Sequence, residues 1–319
     1  MEDKHMKISP MSRRSFIQTA ALATAGLAVN AAPKTPVVKV TPADWPIGCF
    51  NRPWMQAHGN KAQALTTPQP ADWGYDVALK GMNEAGYKIT GLLTRMNDEP
   101  FIGTDATPEY LTALKRKIAL AGLRPNMGAL RVSGATLADQ IKDVRQQIDN
   151  AKTLGLEFVL TFGVDKASEY ENYYKAMANA ADYAFEQGIK LVLKPHGGGS
   201  GASEEIIRCR ARVNRPNFKV WYDAGNIVFY TGKDPLEQLK PIAKHVTGFC
   251  AKDCDKQKGK VMIQLGTGVV DFHAVFTELK NAGFNGPVML ECAAGTTYEE
   301  VTANAKANRL YLEKLFATL

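Results

Sequence analysis

From Trp45 onward, short apolar runs alternate with longer stretches of helical periodicity, and this happens through eight pairs. The runs fall at 46–51, 88–95, 124–130, 157–164, 189–195, 218–222, 246–252 and 287–291. The helical stretches fall at 75–85, 108–121, 135–154, a segment with Tyr170, Tyr173, Met177, Ala181 and Ala184 at helical spacing, 203–213, 235–245, 272–282 and 298–316. Strands separated by helices run parallel with right-handed crossovers, and eight repeats close on themselves. The expected fold class is α/β, a single (β/α)8 TIM barrel. A doubly wound open sheet is the rival, but a nucleotide fingerprint after an early strand is missing: Gly266-Thr267-Gly268 comes late and lacks the third glycine.

The amino end reads differently. Ser12-Arg13-Arg14-Ser15-Phe16-Ile17 matches a twin-arginine export signal, followed by an apolar run at 20–29 that ends in small residues near Ala31 and Ala32. That run is far short of the ~20 residues a membrane span needs. We therefore expect a signal peptide over 1–32, a barrel domain over 45–319, and a periplasmic or secreted mature chain without a membrane anchor. The net charge of +7 is a mild bias, and Lys115-Arg116-Lys117 and the arginines at 208, 210 and 212 lack interleaved aromatics, so nucleic acid is not an expected partner. Five cysteines are an odd number; they are expected mostly as buried apolar side chains, though an oxidising compartment would permit one bridge.

Each of the last four strands ends in polar residues: Lys194 and His196, then Asp223 and Asn226, then Lys252 and Asp253, then Glu291. In a parallel barrel these ends converge on one mouth, where ligands bind. Singly, each has a structural alternative, such as Asp223 capping the turn at Gly225 or Lys252 and Asp253 pairing at the rim. Trp54, in the long loop after the first strand, could stack on a pyranose face.

Asp223-Ala-Gly-Asn226, Ala251-Lys-Asp253, Gly266-Thr-Gly-Val-Val-Asp-Phe272 and Gly286-Pro-Val-Met-Leu-Glu291 follow in the order and spacing of the xylose isomerase-like family of sugar isomerases and epimerases, which the mature chain resembles throughout. The resemblance implies a divalent metal, commonly manganese, held by Glu, Asp, His and Glu from strands five to eight, with the two glutamates shuttling a proton beside a carbonyl. Asp223 and Glu291 match two of those positions, while Lys194 and Cys250 stand at the other two. His196 could supply a compensating nitrogen, giving Asp223, Glu291 and His196 as ligands for Mn²⁺, with Zn²⁺, Mg²⁺ or Fe²⁺ as other candidates.

The expected activity is proton abstraction beside the carbonyl of a non-phosphorylated sugar or glycoside. Glu291 is the base, a metal or the Lys194 ammonium the electrophile, and His196 or Lys194 the acid, with Asn226, Lys252, Asp253 and Trp54 binding substrate. Elimination from a keto-glycoside at the same site and a non-catalytic sugar-binding barrel are the alternatives.

Overall fold

The structure, a computed structural model, describes residues 41–56, 74–96 and 99–319. The twin-arginine pattern, and His58 with the segment 66–71 of the first loop, lie outside the described residues.

In chain order the elements are β1 (Ile47–Phe50), α1 (Tyr75–Glu84), β2 (Ile89–Leu92), α2 (Pro108–Leu120), β3 (Arg124–Ala129), α3 (Leu137–Leu154), β4 (Phe158–Thr161), α4 (Tyr170–Glu186), β5 (Lys190–Leu193), α5 (Ser203–Val213), β6 (Phe218–Asp223), α6 (Ala224–Thr231), α7 (Pro235–Leu239), β7 (Val246–Ala251), α8 (Phe272–Asn281), β8 (Val288–Leu290) and α9 (Tyr298–Thr318). Each strand pairs in parallel with the next, and β1 closes on β8 through Ile47 opposite Val288. The expected (β/α)8 barrel is present. Helix starts follow their capping residues: the Thr107 side chain accepts from the Tyr110 amide, and Thr136 and Thr297 form capping boxes with Asp139 and Glu300.

Two stretches differ from the periodic reading. The segment expected as one helix over 235–245 is α7 followed by a short 3₁₀ turn, Ala243–His245, because Pro241 cannot continue an α-helix. And α6 directly follows β6, with Asp223 as its N-cap. Its sequence, with an early glycine and β-branched residues, carries little helical signal beyond that cap.

Most of the apolar core lies between strands and helices, while Phe50, Met127, Phe158, Val192, Trp221 and Met289 belong to a second cluster inside the barrel. Glycines on neighbouring strands make room for the rings: a Cβ on Gly248 would lie 2.2 Å from Trp221, and one on Gly91 would lie 2.4 Å from Phe50. Gly248→Ala should therefore destabilise the barrel by about 1–3 kcal/mol through overpacking, read as a lower midpoint in urea unfolding. An unchanged midpoint would mean that Trp221 can shift freely. Among the described residues, no helix is long and apolar enough to cross a membrane.

Candidate active site at the barrel mouth

Four consecutive strands deliver the site. Lys194 follows β5, Asp223 ends β6, Lys252 follows β7 and Glu291 follows β8. The ladder holds two of them, since the Lys194 amide donates to Thr161 O at 2.9 Å and the Glu291 amide to Ala251 O at 3.0 Å. All four side chains are buried, none more than 2% exposed.

Buried charges persist only when paired, and here the pairing is dense. The Lys194 ammonium donates to Glu291 Oε2 and lies 3.0 Å from Asp223 Oδ2. Lys252 spans the same two carboxylates, at 3.1 Å from Asp223 Oδ2 and 3.2 Å from Glu291 Oε1, and donates to Asn226 Oδ1 at 2.6 Å. Arg52, just past β1, donates to Glu291 Oε1 at 2.5 Å, and the Cys250 thiol donates to Glu291 Oε2 at 2.6 Å. Among the described residues, three cations thus meet two carboxylates. Asp223 Oδ2 accepts no well-aligned hydrogen bond, so its partners are the two ammonium charges.

The charge states follow. Burial opposes ionisation of Glu291, but Lys194, Lys252 and Arg52 outweigh it and hold the carboxyl well below its ordinary range. For Lys194, burial is likewise overcome, here by Cys250, Glu291 and Asp223, and its pKa is raised. Burial pushes the Cys250 thiol up, with Asp223 and Glu291 adding to it. His196 is lowered to about 4 by burial and then by Lys194 and Lys252, so the ring is neutral at neutral pH.

The site residues expected from sequence separate into three groups. Lys194, Asp223, Lys252 and Glu291 form one cluster, and Asn226 braces it: its amide N–H reaches Asp223 Oδ1 at 2.8 Å and its side chain donates to Pro195 O at 2.6 Å. His196 flanks the cluster, with Nε2 at 3.0 Å from the Tyr230 hydroxyl and its ring 5.0 Å from that of Phe162. Asp253 and Trp54 serve the scaffold. Asp253 accepts from the amides of Cys254, Gly266, Gly268 and Val270, so both oxygens hold the loop after β7 and the rim pairing with Lys252 is not made. Trp54 is fully buried, its indole donates to Thr302 Oγ1 at 3.1 Å, and it packs on Gly81 of α1. Removing Asp253 should therefore cost stability: Asp253→Ala strips four amides of their acceptor, a loss of about 3 kcal/mol or more. Chemical denaturation checks it, and a change under about 0.5 kcal/mol would show that water replaces the carboxylate.

Arg52 and Tyr230 are site residues that the sequence reading passed over. Arg52 lies two residues past the end of β1, close to the strand-exit positions of Lys194 and Glu291, so the strand-end logic could have found it. Tyr230 lies on α6, whose helix was not expected.

Among the described residues, Asp223, Cys250 and Glu291 bring one donor atom each within 4.8 Å of one another, a grouping that by distance could hold a metal ion. His196 is outside it. The charges fit a cation less well than the distances do. Lys194 and Lys252 already bridge both carboxylates, and the thiol that would have to ionise donates its proton to Glu291.

A closed parallel barrel with buried charges at the carboxyl ends of its strands defines a ligand-binding or catalytic (β/α)8 protein. More specifically, residues 79–315 match the sequence profile of the xylose isomerase-like TIM barrel, and the chain belongs to that family. It is similar to L-ribulose-5-phosphate 3-epimerase UlaE of Escherichia coli, at 22% identity, over 70% of this chain and 83% of the relative. Among solved structures, a xylose isomerase-like TIM barrel protein from Mycobacterium smegmatis in complex with magnesium superposes with a TM-score of 0.68 at 15% identity, covering 88% of this chain and 99% of that one. D-allulose 3-epimerase from Methylomonas sp. in complex with D-allulose gives 0.63 at 17% identity, covering 85% and 96%.

Proposed function

We propose that the protein is a sugar isomerase or epimerase that removes a proton beside the carbonyl of a non-phosphorylated sugar, and that it is exported to the periplasm or beyond. The observation that carries this reading is one buried carboxylate, Glu291, ringed by donors from Arg52, Lys194 and Lys252 at the mouth of a barrel. That it is an enzyme of the isomerase and epimerase type is supported by its relatives, which include sugar 3-epimerases. Export and a free sugar are supported by the twin-arginine pattern at Arg13 and Arg14, since sugar phosphates are normally kept in the cytoplasm.

The chemistry needs a base, a cation for the developing enolate oxygen and a way to return the proton. Glu291 is the base. Its depressed pKa makes it a weak one at rest, but the cations responsible are those that would stabilise the enolate. As the proton moves to Glu291, negative charge moves from its carboxylate to the substrate oxygen, and an ammonium touching both keeps a partner throughout. Asn226 fixes Lys252 and Asp223 for this task, and neutral His196 with Tyr230 presents hydrogen-bonding groups beside it. Elimination from a keto-glycoside is the second reading. Lys194 stands where the family resemblance places a second glutamate, and elimination requires only one carboxylate base.

Incubation with a panel of free ketoses, keto-glycosides and sugar phosphates in D₂O, followed by NMR, tests both. We expect deuterium at a carbon beside the carbonyl of a free sugar, or loss of the aglycone if elimination wins. Incorporation confined to phosphate esters would reject the free-sugar substrate. Sugar binding without exchange or cleavage would leave a binding barrel.

A further inference from the structure

We propose that the Lys194 ammonium takes the place of a divalent cation in this site, so that the barrel carries its own electrophile. The argument begins with three donors close enough for an ion, Asp223, Cys250 and Glu291. A first-row ion or Mg²⁺ held by carboxylates sits about 2.0–2.2 Å from its oxygens. The Lys194 nitrogen is 3.0 Å from Asp223 Oδ2 and hydrogen-bonded to Glu291 Oε2, so it fills the space between the oxygens such an ion would bridge.

Charge points the same way. Asp223 and Glu291 already face Arg52, Lys194 and Lys252 in a buried setting, and a doubly charged ion would add to an excess of positive charge. Cys250 cannot offset it as a thiol, because a metal ligand must be the thiolate. Asp223 Oδ2, which lacks an aligned hydrogen bond, is the atom most open to an ion, yet its charge is met by ammoniums at 3.0 and 3.1 Å.

Lys194 also differs from Lys252 in what it has left to give. An ammonium has three N–H donors. Lys252 gives hydrogen bonds to Asn226 and Glu291, whereas Lys194 gives one, to Glu291, and otherwise meets the Asp223 charge and the Phe162 face at 5.8 Å, which leaves it the more donor capacity for a substrate oxygen. The electrophilic role rests on the proposed proton abstraction; the filling of the cation position does not.

Metal binding can therefore be tested without a substrate. The full chain, dialysed against Mn²⁺ alone and analysed for bound metal, should hold far less than one ion per chain and show no Mn²⁺-dependent rise in melting temperature. Lys194→Glu should bind about one ion per chain and melt higher with Mn²⁺. Wild-type protein that retains about one ion per chain through dialysis would overturn the proposal, as would a folded Lys194→Glu that binds none. If circular dichroism shows Lys194→Glu unfolded, Lys194→Met is read in its place. Any gain of Mn²⁺ binding over wild type supports the proposal, and no gain in the folded variant overturns it. A wild-type chain free of metal but inert toward all sugars would reject the proposed activity and leave this inference standing.

Discussion

Glu291→Gln is expected to reduce turnover by about 10³-fold, within the range contributed by a positioned acid or base. The amide keeps the shape of the carboxylate and cannot take the substrate proton. It also removes the negative charge on which Arg52, Lys194, Lys252 and the Cys250 thiol converge, leaving Asp223, among the described residues, as the one carboxylate for two buried ammoniums. Breaking a buried pairing from one side costs about 3–5 kcal/mol. The variant should therefore melt well below wild type as well as turn over slowly, and the two effects are separable by assaying far below its melting temperature. Deuterium exchange at the wild-type rate in Glu291→Gln would assign the base elsewhere.

Lys194→Met should lower kcat by about 10²–10³-fold with a smaller change in KM, as removal of a donor that acts mainly on the transition state does. Methionine keeps most of the side chain's length and loses its charge. Glu291 retains Arg52 and Lys252 as partners, and Asp223 retains Lys252, so the stability loss should fall at or below the lower end of the 3–5 kcal/mol range. If the loss appears equally in KM with kcat unchanged, Lys194 binds substrate and enolate alike. A fully active variant would make Lys194 a scaffold residue.

The barrel was legible because its signal is local and repeated. Apolar runs such as 189–195 and amphipathic helices such as α5 announce themselves within a dozen residues, and α5 begins and ends where its periodicity does. α6 did not, because an eight-residue helix buried over its first five residues has no polar face long enough to give it a period. The site was legible in part for the same reason. Lys194, Asp223, Lys252 and Glu291 each break an apolar strand at its exit, and closure of the sheet does the rest. What side chains do after the strand ends depends on partners distant in sequence: Asp253 bonds amides up to seventeen residues ahead, and Arg52 meets Glu291 across 239 positions. No local pattern encodes such pairings, and so the carboxylate expected to face substrate serves a loop, while an arginine next to β1 completes the cluster.

Inside the barrel Cys250, which donates to Glu291, packs in one cluster with Phe50, Phe158, Trp221 and Met289, and each of the four is 1% exposed or less. In the proposed reaction a proton taken up by Glu291 would find only apolar side chains on that side among the described residues, and would leave toward the mouth, where the sugar binds. Delivery to the neighbouring carbon of the same sugar and escape to water become competing fates, decided by how long the ligand covers the opening. An isomerisation product formed in D₂O should carry less than a full equivalent of label, and the shortfall counts the hydrogens passed from carbon to carbon within one molecule. On the proposed mechanism the apolar packing would thus give the site an isotopic memory, and its strength would be a clock for ligand residence.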